Sequence, residues 1–441
     1  MPRKHLRRSR KQILSPQVWR TRLTFWTGAL LVGIAATLLA KGSDLAGHYF
    51  SLVLAQYPYA PFLITPMGLM VIAWSTHRFF PGAEGSGIPQ AIAALQMRDK
   101  ALRSSVLSMR IAISKGIMIW LGLLSGASIG REGPTVHVAA SVTYALSRFA
   151  RFPYHAIGRG LILAGGAAGL AAAFNTPLAG IIFAIEEMAR SFEERTSGTI
   201  FTAVIIAGMV ALAIHGNYYY FGTVNAQMEP LHTLAAIVAC GTVGGLLGGV
   251  FSMLLIQGNR RIGPVRGRHP VVIAFLCGLA LAVFGWFSSG MTYGTGYEEA
   301  RRLLEGGEST GWAFPIMKLG ATVASYWSGI PGGIFAPSLS VGAGMGAEIA
   351  RSFPSEAVAA VTLLGMVAYF TGVVQTPITA VVIVMEMTDD QSLLLSLMAT
   401  ALIADGISHF INPRPIYRAL ADDFLNATHR KSKRAPVQAS D

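Results

Sequence analysis

This chain has little charge and almost no cysteine. Of its 441 residues only 13% are Asp, Glu, Lys or Arg, whereas 52% are hydrophobic and the mean hydropathy is +0.50. That leaves too little polar surface to solvate a globule of this size, so the composition points to a polytopic membrane protein. The two cysteines, Cys240 and Cys277, both lie inside apolar segments and imply packing, with neither a disulfide nor a metal framework. Acidic residues are scarcer than basic ones, 22 against 35, for a formal charge of +13. The excess flanks apolar runs, which reads as anchoring near anionic lipid in preference to nucleic-acid binding.

What the sequence does have is long uncharged runs. Leu161 to Ile185, Ser197 to Met228 and Val271 to Tyr297 each reach or exceed the ~20 residues that a spanning helix needs. Several are broken by Gly or Pro, which lipid tolerates mainly where the broken backbone is buried in protein or lines a cavity. The first run, Leu23 to Ala40, follows a segment holding Arg3, Lys4, Arg7, Arg8, Arg10 and Lys11 and reads as an uncleaved anchor, since many spans follow it. The positive-inside rule places this N-terminus in the cytoplasm, together with a loop holding Arg260, Arg261, Arg266 and Arg268 and a tail holding Arg430, Lys431, Lys433 and Arg434.

The pattern predicts helices near 23–40, 61–80, 87–97, 106–124, 133–149, 156–172, 178–193 and 199–215 in the first half. In the second half it predicts them near 231–256, 270–289, 297–305, 313–326, 336–351, 356–372, 378–388, 391–411 and 415–425. A duplication underlies the two sets. Lys115, Ser125, Gly126, Gly130 and Pro134 recur as Lys318, Ser328, Gly329, Gly333 and Pro337 at a constant offset of 203. Gly85-Ser86-Gly87 pairs with Gly294-Thr295-Gly296, Thr176-Pro177 with Thr376-Pro377, and Glu186 with Glu386. The chain divides into a basic segment (1–22), a first repeat (23–220), a second repeat (221–425) and a tail expected to be disordered (426–441). Short, interrupted segments at matching places in two halves point to a shared binding site.

Gly130-Arg131-Glu132-Gly133-Pro134 is the most telling stretch. Pro suits a first helical turn, Gly permits close approach, and the free N–H groups and dipole of a helix start attract anions. In such a pocket Glu132 is a tethered anion that a free anion must displace, and protonation would help by removing its charge. The competing account is an Arg131–Glu132 ion pair in a surface loop. The matching turn, Gly333-Ile334-Phe335-Ala336-Pro337, keeps Gly and Pro without any charge, which favours backbone geometry as the shared property. Gly85-Ser86-Gly87-Ile88-Pro89 is a third such turn, lacking both a dinucleotide fingerprint and a Walker lysine. Glu186 and Glu187 close an apolar helix, about 100° apart, so one faces the bundle and the other its edge. From composition alone Tyr417 reads as an interfacial anchor. His137 has no second His or Cys at ligand spacing, so no metal site is expected.

In order and spacing these stretches, with Phe174-Asn175-Thr176-Pro177-Leu178-Ala179-Gly180 and the late Tyr417, resemble the CLC family of chloride channels and chloride/proton antiporters over nearly the whole membrane part. The resemblance implies an all-α, inverted-repeat membrane fold of about 18 tilted helices, working as a homodimer in a bacterial inner membrane with both termini cytoplasmic. It implies chloride as substrate, held by the hydroxyls of Ser86 and Tyr417 and the amides of Ile334 and Phe335, with no cofactor. Arg131 and Gly133 would border an outer anion site, Glu132 would be the gating glutamate and Glu187 the internal proton glutamate. Having both acids is similar to the antiporters; the alternative is a passive chloride channel gated by Glu132. An intramembrane enzyme using Glu132 and His137 is disfavoured by their spacing and by the lack of a nucleophile or metal set. The short tail implies no appended nucleotide-binding domain pair. In one respect the chain departs from the family: Gln90 and Ile92 stand where relatives often carry carboxylates, which leaves the counter-charge of Lys115 unassigned.

Overall fold

Proline placement sets many of the helix starts. Pro61, Pro177, Pro230, Pro270 and Pro377 each open a helix, where the missing N–H costs nothing and the fixed φ is already helical. The computed structural model describes residues 16–149, 154–189, 194–216, 219–222, 228–309, 311–388 and 390–434, which are helical almost throughout. The first half holds α1 (Pro16–Gln56), α2 (Pro61–Phe79), α3 (Ile88–Gln96), α4 (Lys100–Val106), α5 (Met109–Leu124), α6 (Glu132–Ala145), α7 (Tyr154–Phe174), α8 (Pro177–Phe183) and α9 (Glu194–His215). The second holds α10 (Pro230–Arg268), α11 (Pro270–Phe287), α12 (Tyr297–Leu304), α13 (Ala313–Trp327), α14 (Phe335–Ala350), α15 (Val358–Val374), α16 (Pro377–Thr388), α17 (Leu394–Ile411) and α18 (Ile416–Arg434).

Six described helical stretches are long and apolar enough to cross a membrane, among them Arg22–Gln56, Pro230–Arg268 and Ser355–Val374. The outer surface displays Leu63, Met209, Leu231, Phe287, Leu395 and Phe410. A belt of large apolar side chains on that scale suits acyl chains, and the chain is an integral, multi-pass membrane protein. Helices α6, α14 and α15 are buried on nearly every side, so they form the centre.

Three expectations need correction. The basic stretch around Arg260, Arg261, Arg266 and Arg268 is no loop; it forms the last turns of α10. The helix is longer than its apolar run because a helix end that leaves the bilayer carries Arg, whose charge also suits the C-terminal dipole. Helix α4 was not expected, although Asp99 caps it by accepting from the Ala101 N–H at 2.8 Å. Helix α18 runs past residue 425 to Arg434, into the segment expected to be disordered, while 435–441 and most of the basic segment 1–22 lie outside the described residues.

The repeats meet as a pseudo-two-fold pair. Gly130 and Gly333, which occupy equivalent positions, exchange both backbone hydrogen bonds, at 2.8 and 2.7 Å, in an antiparallel bridge. An equivalent pair bonded to itself across a dyad means that the two segments run in opposite directions. The helices that follow, α6 and α14, therefore present their N-termini to each other from opposed directions, as an inverted repeat requires. The same symmetry recurs at the Thr-Pro helix starts. Glu186 accepts from Ile378 N, Thr379 N and Thr379 Oγ1 at 3.2, 2.6 and 2.6 Å, capping α16. Glu386 accepts from Leu178 N and Ala179 N at 3.0 and 2.7 Å, capping α8.

Each carboxylate thus meets two unsatisfied amides and a positive dipole end. Glu186→Ala and Glu386→Ala are each expected to cost about 1–2 kcal/mol. The midpoint of thermal unfolding in detergent should fall for both; a midpoint unchanged in both variants contradicts the reciprocal caps.

Candidate functional site

Four helix starts converge on one buried place. The turn before α3 carries Ser86 between Gly85 (φ 67°) and Gly87 (φ 97°), left-handed conformations that L side chains rarely adopt. A Cβ on Gly87 would stand 2.6 Å from His137 Cβ and 3.0 Å from Lys115 Nζ, so only glycine lets this turn pass so close. The turn is tied to the second repeat by Gly85 N donating to Ile330 O (3.1 Å) and Gly332 N donating to Gly85 O (3.2 Å). That strap leads directly into Ile334 and Phe335 at the start of α14. Ser86 Oγ lies against Gly133 at the start of α6, where a Cβ would be only 2.1 Å away.

Tyr417 completes the cluster from the start of α18. It is 0% exposed, its hydroxyl faces that of Ser86, and its ring centroid lies 5.8 Å from that of Phe335. Composition alone suggested an interfacial anchor; the packing of α18 against α3 buries it instead. Phe335 is held by Phe370 at 4.8 Å, Phe183 at 6.2 Å and Phe174 at 6.4 Å between centroids, an aromatic shell that keeps the backbone start of α14 fixed. The hydroxyls of Ser86 and Tyr417 are sealed from water, and neither makes a hydrogen bond of regular geometry.

Glu132 is also 0% exposed. Its carboxylate folds over the amides of Glu132 itself and Arg131, and over Ala336 N of the other repeat, without reaching regular hydrogen-bond geometry. Oε2 stands 2.4 Å from where a Cβ on Gly130 would be, so glycine is needed there too. The competing surface ion pair is not formed: Arg131 Nη1 donates to Ala40 O at 2.7 Å and pairs with Asp44, and the residue is only 6% exposed. Asp44 is the one carboxylate of α1, and a lone acid in a long apolar helix is itself a signal.

Glu187 is buried within a wider π-helical turn, Ala184–Ala189, that continues α8. Such turns are rare and concentrate at functional sites. This one sends Glu186 to α16 and keeps Glu187 within electrostatic reach of the Tyr417 hydroxyl, which Glu132 also reaches. The sequence left open which acid faces inward, and the π turn decides it.

Two cavities flank the cluster and share no lining residue. One, of about 660 Å³, is lined by Asp44, Arg131, Tyr297, Glu298 and the turn Gly294-Thr295-Gly296. The other, of about 200 Å³, is lined by Ser86, Tyr326, Arg266, Asp423 and the turn Glu84-Gly85. The two turns are equivalents in the duplication, so inversion opens the cavities toward opposite faces. Equivalent lysines brace them: Lys115 Nζ donates to Gly85 O at 3.1 Å, and Lys318 Nζ to Thr292 O, Tyr293 O and Gly294 O at 3.0, 3.2 and 3.0 Å. His137 is engaged elsewhere, with Nε2 at 3.1 Å from Val106 O. No group of three or more His, Cys, Asp or Glu placed to hold a metal occurs among the described residues.

Residues 68–409 match the family described as voltage gated chloride channel. The chain is 30% identical over 429 residues to an H(+)/Cl(-) exchange transporter ClcA of Yersinia pseudotuberculosis, covering 91% of this chain and 88% of that protein. It is 30% identical over 438 residues to the ClcA exchanger of Cronobacter sakazakii, covering 93% and 91%. The crystal structure of a slow cyanobacterial Cl-/H+ antiporter superposes with a TM-score of 0.81 at 25% identity, covering 95% of this chain and 100% of that one. A eukaryotic CLC transporter shares the fold alone, with a TM-score of 0.73 at 22% identity, covering 92% and 75%.

A methyl group on Gly133 has no room unless the Ser86 hydroxyl moves. Gly133→Ala is expected to weaken binding of a small monovalent anion by about tenfold, the cost of one charge-assisted hydrogen bond. Isothermal titration in detergent measures this, and unchanged affinity would contradict a part for Ser86 in anion binding.

Proposed function

The chain belongs to the voltage gated chloride channel family, and from that premise we propose that it is a secondary active transporter exchanging chloride for protons. The observation that carries this reading is the pair of buried hydroxyls, Ser86 and Tyr417, which face each other beside Phe335 at the start of α14 without a hydrogen bond of regular geometry. Sealing two hydroxyls from water without partners costs about 1–3 kcal/mol each, which a small anion that accepts from both would offset. Chloride accepts from O–H and N–H donors, carries the charge that converging helix starts favour, and is what the similar exchangers are named for.

Chloride is therefore assigned to Ser86 Oγ, Tyr417 Oη and the N–H groups of Ile334 and Phe335. Glu132 occupies the adjoining position over the starts of α6 and α14, where its carboxylate stands in for an anion. Arg131 and Gly133 border the outer anion site, reached through the larger cavity. A proton on Glu132 removes the charge that holds it to the amides, and the freed place accepts chloride. Return of the deprotonated carboxylate expels that chloride and completes a two-way exchange. Glu187, close to Tyr417 on the far side, relays the proton toward the smaller cavity without entering the chloride path. A passive channel needs a gate but has no use for this second buried acid.

The termini are assigned to the cytoplasm and the membrane to the bacterial inner membrane, since α1 enters after a basic segment and Arg266 and Arg268 end α10. Two copies per molecule are assigned from the family, each with its own pathway.

In proteoliposomes, Glu132→Gln is expected to keep chloride flux and abolish chloride-driven proton movement. Glu187→Gln should likewise pass chloride and lose proton transport. Proton uptake at the unsubstituted rate in either variant contradicts that residue's role. Proton transport absent from the unsubstituted protein, with chloride flux intact, would favour the passive channel.

A further inference from the structure

Lys115 is fully buried, and the residues that follow the Gly85-Ser86-Gly87 turn, Gln90 and Ile92 among them, offer it no carboxylate. Its ammonium donates to Gly85 O, and the acid that interacts with it is Glu84, the residue just before the Gly85-Ser86-Gly87 turn. Glu84 is held in place at two points. Its Oε2 accepts from Gly82 N at 2.7 Å, and its backbone carbonyl accepts from Gln90 Nε2 at 2.8 Å. Gln90, itself neutral, thus fixes the turn that carries the acid. In the second repeat the equivalent Lys318 is satisfied by three carbonyls and has Glu299 as its acid, so each buried lysine keeps one carboxylate close by.

Unlike a carboxylate sunk in the helix, Glu84 lies open to water. It lines the cavity of about 200 Å³ that ends on Ser86 and also a neighbouring one of about 340 Å³. The other charged groups of these walls are Arg266, which donates to neutral acceptors, Trp327 O and Asn259 Oδ1, and Asp423, which is neutralised by Arg260 at 2.8 Å. Glu84 therefore faces any anion that approaches Ser86 from this side, at the distance of two residues along the chain.

We infer that Glu84 is an affinity-setting charge of this transporter: it compensates Lys115 from the cavity wall and holds chloride affinity down at the cytoplasmic mouth of the pathway. The assignment rests on the antiporter reading. A weakened site suits transport, because an ion that enters from one side must also leave.

The test is chloride titration calorimetry on the purified protein in detergent at two ionic strengths. Glu84→Gln keeps an acceptor for Gly82 N, and removing one negative charge at this range is expected to tighten chloride binding by about tenfold at low salt and less at high salt. Glu84→Asp, which keeps the charge, should stay within about twofold of the unsubstituted protein. A merely structural role predicts weakening, so the direction separates the two. Unchanged or weaker binding by Glu84→Gln, with the unsubstituted protein binding chloride, overturns the assignment of Glu84 alone. Failure of the unsubstituted protein to bind chloride overturns the antiporter reading and this inference with it.

Discussion

Every helix begins with amides that its own ladder leaves unbonded, and inside a membrane no water is at hand to take them. The protein gathers the starts of α3, α6, α14 and α18 in one sealed place and so concentrates donors and positive dipole ends, a setting that favours an anion. Glu132 is the permanent claimant of part of that place. Its burial is tolerable because amides from both repeats face it, and its hold depends on its charge. Competition between a fixed carboxylate and a mobile halide, decided by one proton, is the physical basis of coupling in this account.

Inverted duplication supplies the geometry. Gly130 and Gly333 hydrogen-bond to each other across the dyad, which forces α6 and α14 to meet start to start. Equivalent Gly turns, each propped by a buried lysine, open one cavity to each face. Glu186 and Glu386 cap each other's partner helices and lock the halves together away from the site. Symmetry is broken at the site: Arg131 and Glu132 have Ile334 and Phe335 opposite them, so one helix start carries a carboxylate and the other presents backbone wrapped in aromatic rings.

Much of this was legible from residue order. Gly and Pro mark turns and helix starts because few other residues tolerate those conformations, so the Gly-rich turns, the repeat and Glu132 stood out. Side chains whose role depends on distant packing did not. Tyr417 has the composition of an interfacial anchor until α18 is seen to lie against α3. Glu186 and Glu187 are indistinguishable until a π turn divides them. Asp44 and Glu84 are single acids whose meaning lies in Arg131 and Lys115, many residues away. The Arg-rich end of α10 reads as a loop because composition alone does not separate a helix leaving the bilayer from the loop after it.

The central claim, that a halide and the Glu132 carboxylate compete for one set of backbone amides, is tested most directly by anomalous diffraction from crystals grown in bromide. The account predicts a peak between the Ser86 and Tyr417 hydroxyls and the start of α14 in the unsubstituted protein, with a second peak over the starts of α6 and α14 only in Glu132→Gln. The absence of bromide from this cluster, or equal occupancy of both positions while Glu132 keeps its place, would contradict it.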